Sequence, residues 1–153
     1  TNDGVHAVGP AVSKLKQTEL AFGLRDLARY SRFDAQVKET KRKLLKFLID
    51  ARDQGKTVVG YGAPGKGNTL LNYCGIRTDL LDYTVDRSPH KQGRYTPGTH
   101  IPILAPEKIL ETKPDYVLIL PWNLKAEITA MFPQVRAWGG RFVVPIPTVT
   151  VLE

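Results

Sequence analysis

The segment Thr57-Val58-Val59-Gly60-Tyr61-Gly62-Ala63-Pro64-Gly65-Lys66-Gly67-Asn68-Thr69 decides the fold of this chain. It begins as a short apolar strand, passes through Gly60-x-Gly62-x-x-Gly65 and enters a predicted helix over Asn68–Tyr73. A strand, a glycine-rich turn and a helix in this order are typical of Rossmann-type nucleotide-binding folds. We expect Gly60 to permit the tight turn, Gly62 to let backbone N–H groups approach a diphosphate, and Gly65 to allow close helix–strand packing.

The glycine turn is chemically suited to an anion. A helix N-terminus offers unsatisfied N–H donors and the positive end of the helix dipole, and Lys66 adds a cation beside them. Asp86 ends the next predicted strand, about 20 residues further on, where dinucleotide-binding folds place the acid that holds a ribose. The pattern therefore predicts a nucleotide-handling site, with a turn that binds nothing as the plain alternative.

Two other phosphate or cofactor loops fit the segment less well. Gly60-(four residues)-Gly65-Lys66 matches the start of a P-loop, but Gly67 stands where a Ser or Thr should hold magnesium. A loop for S-adenosylmethionine usually carries an acid just before its first glycine, and Val58 and Val59 occupy that place here. The sequence therefore disfavours nucleotide hydrolysis and methyl-donor binding at this turn.

After Gly55, short apolar strands alternate with helices. Strands are predicted at 57–61, 80–86, 115–120 and 141–144, helices at 106–110 and 123–131, and a long loop at 87–102, with Pro145 and Pro147 ending the regular structure. Near-continuous apolar strands separated by helices predict an α/β fold: a Rossmann-like, mainly parallel sheet with helices on both faces.

The N-terminal third has a helical pattern. Residues 1–12 are expected to be a loose lead-in, Ser13–Tyr30 a first helix, and a second helix capped by Ser31 or Asp34 to run to about Gln54. Asp34/Lys38 and Glu39/Lys43 have the i,i+4 spacing of surface ion pairs. We expect the lead-in and two helices of 1–54 to pack on a Rossmann-like core of 55–153, as one structural domain overall, or to lead into it from a further domain.

Composition narrows the class of protein. The chain has 153 residues, a formal charge of +7 and one cysteine, Cys74, so it has no internal disulfide and a reducing, cytoplasmic setting is expected. No apolar run approaches the roughly 20 residues that span a bilayer. Much of the positive excess lies in Lys38–Lys46, where few aromatics interleave, so we expect a solvated helix face and no nucleic-acid or membrane partner.

Four blocks of sequence resemble one known family. Val59–Ala63 with Lys66–Ile76, Val85–Ile103, Leu118–Asn123 and Gly139–Phe142 are similar to the C-terminal domain of nucleotide-sugar C-methyltransferases. The resemblance extends from about Ser13 to Pro147, and the blocks occur in the same order.

The resemblance implies a function and a division of labour. Members of the family methylate a carbon next to the keto group of a nucleotide-linked deoxysugar, using S-adenosylmethionine. Their zinc-binding part, cofactor-binding domain and catalytic base lie upstream of this domain. The resemblance thus implies a nucleotide-diphosphate sugar and a missing upstream domain as partners, no cofactor bound by this chain, and no methyl transfer by the chain alone.

The candidate substrate-binding residues lie at the predicted carboxyl ends of strands and in the long loop. They are Gly60, Tyr61, Gly62, Ala63, Gly65, Lys66, Asn68, Thr69, Asp86, Lys91, Arg94, His100, Trp122 and Asn123. Cationic side chains could contact the diphosphate, the amides could bond sugar or base edges, and Tyr61 or Trp122 could stack on the base. No catalytic or metal-binding residue is expected, and a stand-alone dinucleotide (NAD-like) module or a ligand-free interaction scaffold remain the alternatives.

Overall fold

The computed structural model describes residues 9–153, so residues 1–8 of the lead-in predicted over 1–12 lie outside the described part. Residues 10–12 are helical, so that part of the predicted lead-in was wrong. Helix α1 spans Pro10–Phe22, with proline in its first turn, and helix α2 spans Leu27–Asp53. The prediction of one helix over Ser13–Tyr30 was wrong. Gly23 adopts a left-handed conformation (φ 82°), and its N–H bonds back to α1, which ends the helix there.

The chain divides into two compact units, the second of which is Glu39–Glu153. The first unit, where described, consists of α1 and the beginning of α2. The second unit holds the rest of α2 and the remaining elements in chain order. These are β1 (Val58–Tyr61), α3 (Gly65–Cys74), β2 (Thr84–Val85), β3 (Arg94–Tyr95), β4 (Pro102–Leu104), α4 (Lys108–Thr112), β5 (Tyr116–Ile119), α5 (Lys125–Met131), β6 (Arg141–Val144) and β7 (Thr150–Leu152).

The seven strands form one sheet in the order β3-β4-β2-β1-β5-β6-β7. The five central strands are parallel, and the two edge strands, β3 and β7, are antiparallel to their neighbours. The predicted α/β class with a mainly parallel sheet is confirmed, and the sheet is mixed because of its edges.

Three predicted boundaries were wrong. The strand predicted over 80–86 pairs only at Thr84–Val85, because Leu80 and Leu81 belong to a turn closed by bonds to the Arg77 carbonyl. The loop predicted over 87–102 contains β3 and leads into β4. Regular structure does not end at Pro145 and Pro147, since β7 returns antiparallel to β6.

Helices cover both faces of the sheet. One face packs against α2 and α3 through Leu44, Leu48, Leu70 and Leu71. The other face packs against α4 and α5 through Ile109 and Ile128. The apolar strands are therefore buried on both sides, as parallel strands require.

The order of the strands creates a crevice at the carboxyl ends of β1 and β5. From β1 the chain moves outward to β2 on one side, and from β5 it moves to β6 on the other. In open α/β sheets such a point of reversal is where ligands bind. The glycine turn after β1 and Pro121-Trp122-Asn123 after β5 both lie there.

Candidate functional site

The glycine turn is built by close contacts that differ from the predicted division of roles. Gly62, with φ of 86°, makes the turn, and a Cβ there would lie 2.7 Å from Cδ of Pro121. Gly60 is a strand residue instead of the turn residue, and a Cβ on it would meet Oγ1 of Thr84 at 2.6 Å. The predicted role of Gly60 was therefore wrong.

The glycine that brings α3 onto the sheet is Gly67. A Cβ added to Gly67 would lie 2.9 Å from Cβ of Leu120, whereas a Cβ on Gly65 would meet no atom within 4 Å. The packing role predicted for Gly65 was wrong for this reason. Gly67, which stands where a P-loop has Ser or Thr, is therefore required by the close packing of α3 on the sheet.

The N–H groups of the turn itself are already bonded. Gly62 donates to the Val85 carbonyl at 2.6 Å, and Ala63 donates to the Asp86 carboxylate at 2.8 Å. The first turn of α3 is different, because the N-cap residue Pro64 supplies no side-chain cap. The leading N–H groups of α3 have no partner within the helix, so they can receive an anion.

A cation and two further predicted residues meet beside this helix end. Lys66 donates a hydrogen bond to Oδ1 of Asn123, across the crevice. Its Nζ also lies 4.6 Å from the centre of the Trp122 ring. These two contacts join Lys66, in the first turn of α3, to the segment after β5.

Asp86 holds together the two loops on the other side of the turn. Its Oδ2 accepts from Ala63 N–H and, at 3.0 Å, from Lys91 Nζ, and its Oδ1 accepts from Ser88 N–H at 2.9 Å. Lys91 also donates to the Ala63 carbonyl at 3.1 Å. Burial would raise the pKa of Asp86, but these donors outweigh it and lower the pKa below the usual range.

A cleft of about 520 Å³, a volume that includes open solvent at its rim, lies beside Asp86 and Lys91. Its walls include Tyr61, Gly62, Asp86 and Lys91 from the predicted set. Sequence reasoning missed the other lining residues, which are Pro64, Arg87, Pro121, Leu124, Glu127 and Ile128. At the rim, Arg87 and Glu127 form an ion pair with 3.6 Å between the nitrogen and oxygen atoms. In the sequence, Arg87 and Glu127 could have been identified as lining residues only from their positions, just after β2 and in α5.

Three further predicted residues, Tyr61, Asn68 and Thr69, differ in their burial and in their hydrogen bonds. The Tyr61 ring is buried and packs edge-on against Phe132 at 5.5 Å, and burial raises the pKa of its hydroxyl. Oδ1 of Asn68 is buried, with no hydrogen-bond partner among the described residues. The Thr69 hydroxyl donates to the Gly65 carbonyl at 3.1 Å.

Two predicted residues belong to the edge of the sheet. Arg94 is an exposed residue of β3. His100, in a left-handed conformation with φ of 58°, stacks on Tyr95 with ring centres 4.2 Å apart. Neither residue lines the cleft beside Asp86.

Residues 9–153 contain neither a metal-binding cluster nor a membrane-spanning helix. No cluster of three or more His, Cys, Asp or Glu side chains in this range could hold a metal ion. No helix in the same range has the length and apolar character needed to cross a bilayer. Cys74 is buried, and burial raises the pKa of its thiol.

Fold and site together define a Rossmann-type α/β domain whose uncapped α3 N-terminus opens at the reversal point of the sheet. Over residues 1–147 the sequence matches the C-methyltransferase C-terminal domain. The chain belongs to this family, which confirms the resemblance drawn from the four blocks.

One curated relative supports the family assignment, and one solved structure aligns with part of the chain. The C-methyltransferase NovU of Streptomyces niveus is 36% identical over 148 residues, which are 97% of this chain and 35% of NovU. This chain thus spans about a third of the length of that curated relative. The crystal structure of UDP-D-quinovosamine 4-dehydrogenase from Vibrio fischeri aligns with 64% of this chain and 93% of its own, at a TM-score of 0.46 and 18% identity.

Proposed function

We propose that this domain binds the diphosphate of a nucleotide-linked keto-deoxysugar at the N-terminus of α3. It would thereby serve as the substrate-binding part of an S-adenosylmethionine-dependent C-methyltransferase. The observation that carries the proposal is the uncapped helix end with Lys66 held beside it by Asn123 and Trp122. Backbone N–H donors, a helix dipole and an ammonium group together form an anion site.

The surrounding residues suit the rest of such a ligand. The partly buried Trp122 ring can stack on a base, and Asn123 can bond a sugar or base edge once the anion draws Lys66 away. Lys91 uses two donors on Asp86 and Ala63, and its third can point to the cleft it lines. Arg94 and His100, at the sheet edge, remain proposed contacts for a longer substrate.

The Asp86–Lys91 pair supports a sugar nucleotide over a dinucleotide cofactor. A ribose-binding acid must accept hydrogen bonds from two hydroxyl groups, and a carboxylate has about four acceptor positions. Three of these positions on Asp86 are taken by Ala63, Ser88 and Lys91. An NAD ribose would have to displace the Lys91 ammonium, so we disfavour the NAD-module alternative.

Methyl transfer itself is proposed to need protein beyond this chain. The chemistry requires a methyl donor and a base that removes a proton next to the keto group. The described cleft contains no histidine, and its one tyrosine, Tyr61, has its hydroxyl bonded to Met131 in the core. We expect no turnover when the chain is mixed with S-adenosylmethionine and substrate, and measurable methylation by the bare chain would contradict this part.

A thermal-shift titration tests the binding proposal. A ligand present at about 100 times its Kd, and bound only by the folded state, adds about 2.7 kcal/mol of stability. A thymidine-diphosphate sugar should raise the melting temperature of the chain, and NAD at equal concentration should not. The variant Lys66→Met should weaken sugar-nucleotide binding about tenfold, since a charge-assisted hydrogen bond contributes about 1.5–3 kcal/mol.

The matched control is Lys46→Met, which removes the same charge from an exposed position on α2, where Lys46 pairs with Asp50. It should bind as the wild type does. Stabilisation by NAD alone would support the dinucleotide alternative, and a chain that no sugar nucleotide stabilises would refute the proposal.

A further inference from the structure

One face of α2 carries apolar residues in both of its halves, interrupted by Asp34 and Lys41, and is buried only in its second half. The stripe consists of Leu27, Tyr30, Phe33, Val37, Leu44, Leu48 and Ala51. Residues at spacings of three, four and seven lie on the same side of a helix. Leu44, Leu48 and Ala51 are buried in the core of the second unit, whereas Leu27, Tyr30 and Phe33 are 55–82% exposed.

Helix α1 adds to the uncovered apolar surface. None of its residues is buried, and Val12, Leu15, Leu20 and Phe22 are each about half exposed. Eight of the thirteen large exposed hydrophobic residues in the described part of the chain fall between Val12 and Phe33. Soluble proteins rarely expose so many large apolar side chains in one segment, and such patches mark interaction sites.

The connection between α1 and α2 is an ordered turn. Asp26 Oδ1 accepts from Ala28 N–H at 2.9 Å at the start of α2, and the Tyr30 hydroxyl donates to the Leu24 carbonyl at 2.6 Å. The Arg29 guanidinium lies 3.9 Å from the centre of the Phe22 ring. The apolar side chains are therefore presented by a preformed surface, which lowers the entropy lost on binding.

We propose that α1 and the first half of α2 form the docking surface for the part of a C-methyltransferase that this chain does not cover. The exposed apolar residues of α2 lie on the same helix face as Leu44, Leu48 and Ala51, which already form part of a core. The partner is available in the family, because about two thirds of NovU has no counterpart in this chain. The inference is independent of the ligand proposed for the glycine turn.

Charge argues for a different protein surface rather than a second copy of this chain. Residues 10–38 carry six Lys or Arg and three Asp or Glu side chains. A two-fold symmetric contact would place two copies of this basic surface together, which like-charge repulsion opposes. The partner surface should be apolar at its centre with an acidic rim.

A binding experiment with the uncovered part of NovU tests the proposal. That fragment, shown to be folded by a cooperative thermal melt, is titrated with the full 153-residue chain. We expect a one-to-one complex in analytical ultracentrifugation. The double variant Leu27→Ser/Phe33→Ser should weaken it at least tenfold with unchanged circular dichroism.

The control variant Ile49→Ser/Leu110→Ser removes two exposed apolar side chains outside this surface and should bind as the wild type does. Failure of the wild type to bind, or equal binding by the Leu27/Phe33 variant, would overturn the proposal. Two other results for the wild-type chain would also overturn the proposal, provided that the Leu27→Ser/Phe33→Ser variant does not show them. One is dimerisation of the chain alone, and the other is its binding to vesicles of phosphatidylcholine and phosphatidylglycerol in a 3:1 ratio, roughly the mixture that attracts basic amphipathic helices.

Discussion

The substitution Gly67→Ala separates the role of Gly67 from that of Gly65. Both glycines lie in the first turn of α3, so alanine should favour the helix by about 0.5–1 kcal/mol at either position. At Gly67 the new Cβ would lie 2.9 Å from Cβ of Leu120 and 3.2 Å from the Pro64 ring. Overpacking of a close contact costs about 1–3 kcal/mol, so we expect a net loss of about 1–2 kcal/mol.

Urea denaturation followed by circular dichroism measures this loss as a lower midpoint with an unchanged slope. Gly65→Ala is the matched control, because its Cβ would meet open space, and it should be neutral or stabilising by up to about 1 kcal/mol. Gly67→Ser, which restores the P-loop pattern, should destabilise the domain and produce no nucleotide hydrolysis. Equal stability of the two alanine variants would refute the assignment of close packing to Gly67.

Three further predictions concern the core and two carboxylates. Leu48→Ala should cost about 2–5 kcal/mol in urea denaturation because Leu48 is fully buried, whereas half-exposed Ile49→Ala should cost under about 1 kcal/mol; similar losses would contradict the burial of this helix face. The pKa of Asp86 is lower in the fold, so its stabilisation is present above the unfolded pKa and is lost as pH falls through the folded value. Asp86→Asn should therefore flatten the acid limb of a stability–pH curve below about pH 4, and an unchanged limb would argue against the three donors. Asp115→Asn should lower the melting temperature at pH 7, and the difference from the wild type should shrink at pH 3. The reason is that the Thr57 N–H, the Lys56 ammonium and the Thr57 hydroxyl stabilise the charged carboxylate and lower its pKa. A difference in melting temperature that does not change with pH would contradict this.

The outcome at the strands shows where pattern alone was sufficient. Strands β1, β5 and β6 were predicted within one or two residues, because a run of apolar residues buried on two faces is visible in sequence. The short strands β3, β4 and β7 were missed. A strand of two or three residues carries little periodicity in sequence. These strands form because a neighbouring strand offers hydrogen-bonding groups: the Ile103 carbonyl accepts from Gly93 N–H, and Thr84 pairs with Ile103.

The family and the strand–turn–helix unit that carries the candidate site followed from the sequence by itself, since the glycine turn, the strand before it and the helix after it are neighbours along the chain. Only the tertiary structure decided which glycine does what. The contacts that require Gly60, Gly62 and Gly67 come from Thr84, Pro121 and Leu120, residues more than twenty positions away. The same reason applies to Asp86. Its place at a strand end is a local feature, whereas its acceptor positions are filled through a loop that folds back onto the turn.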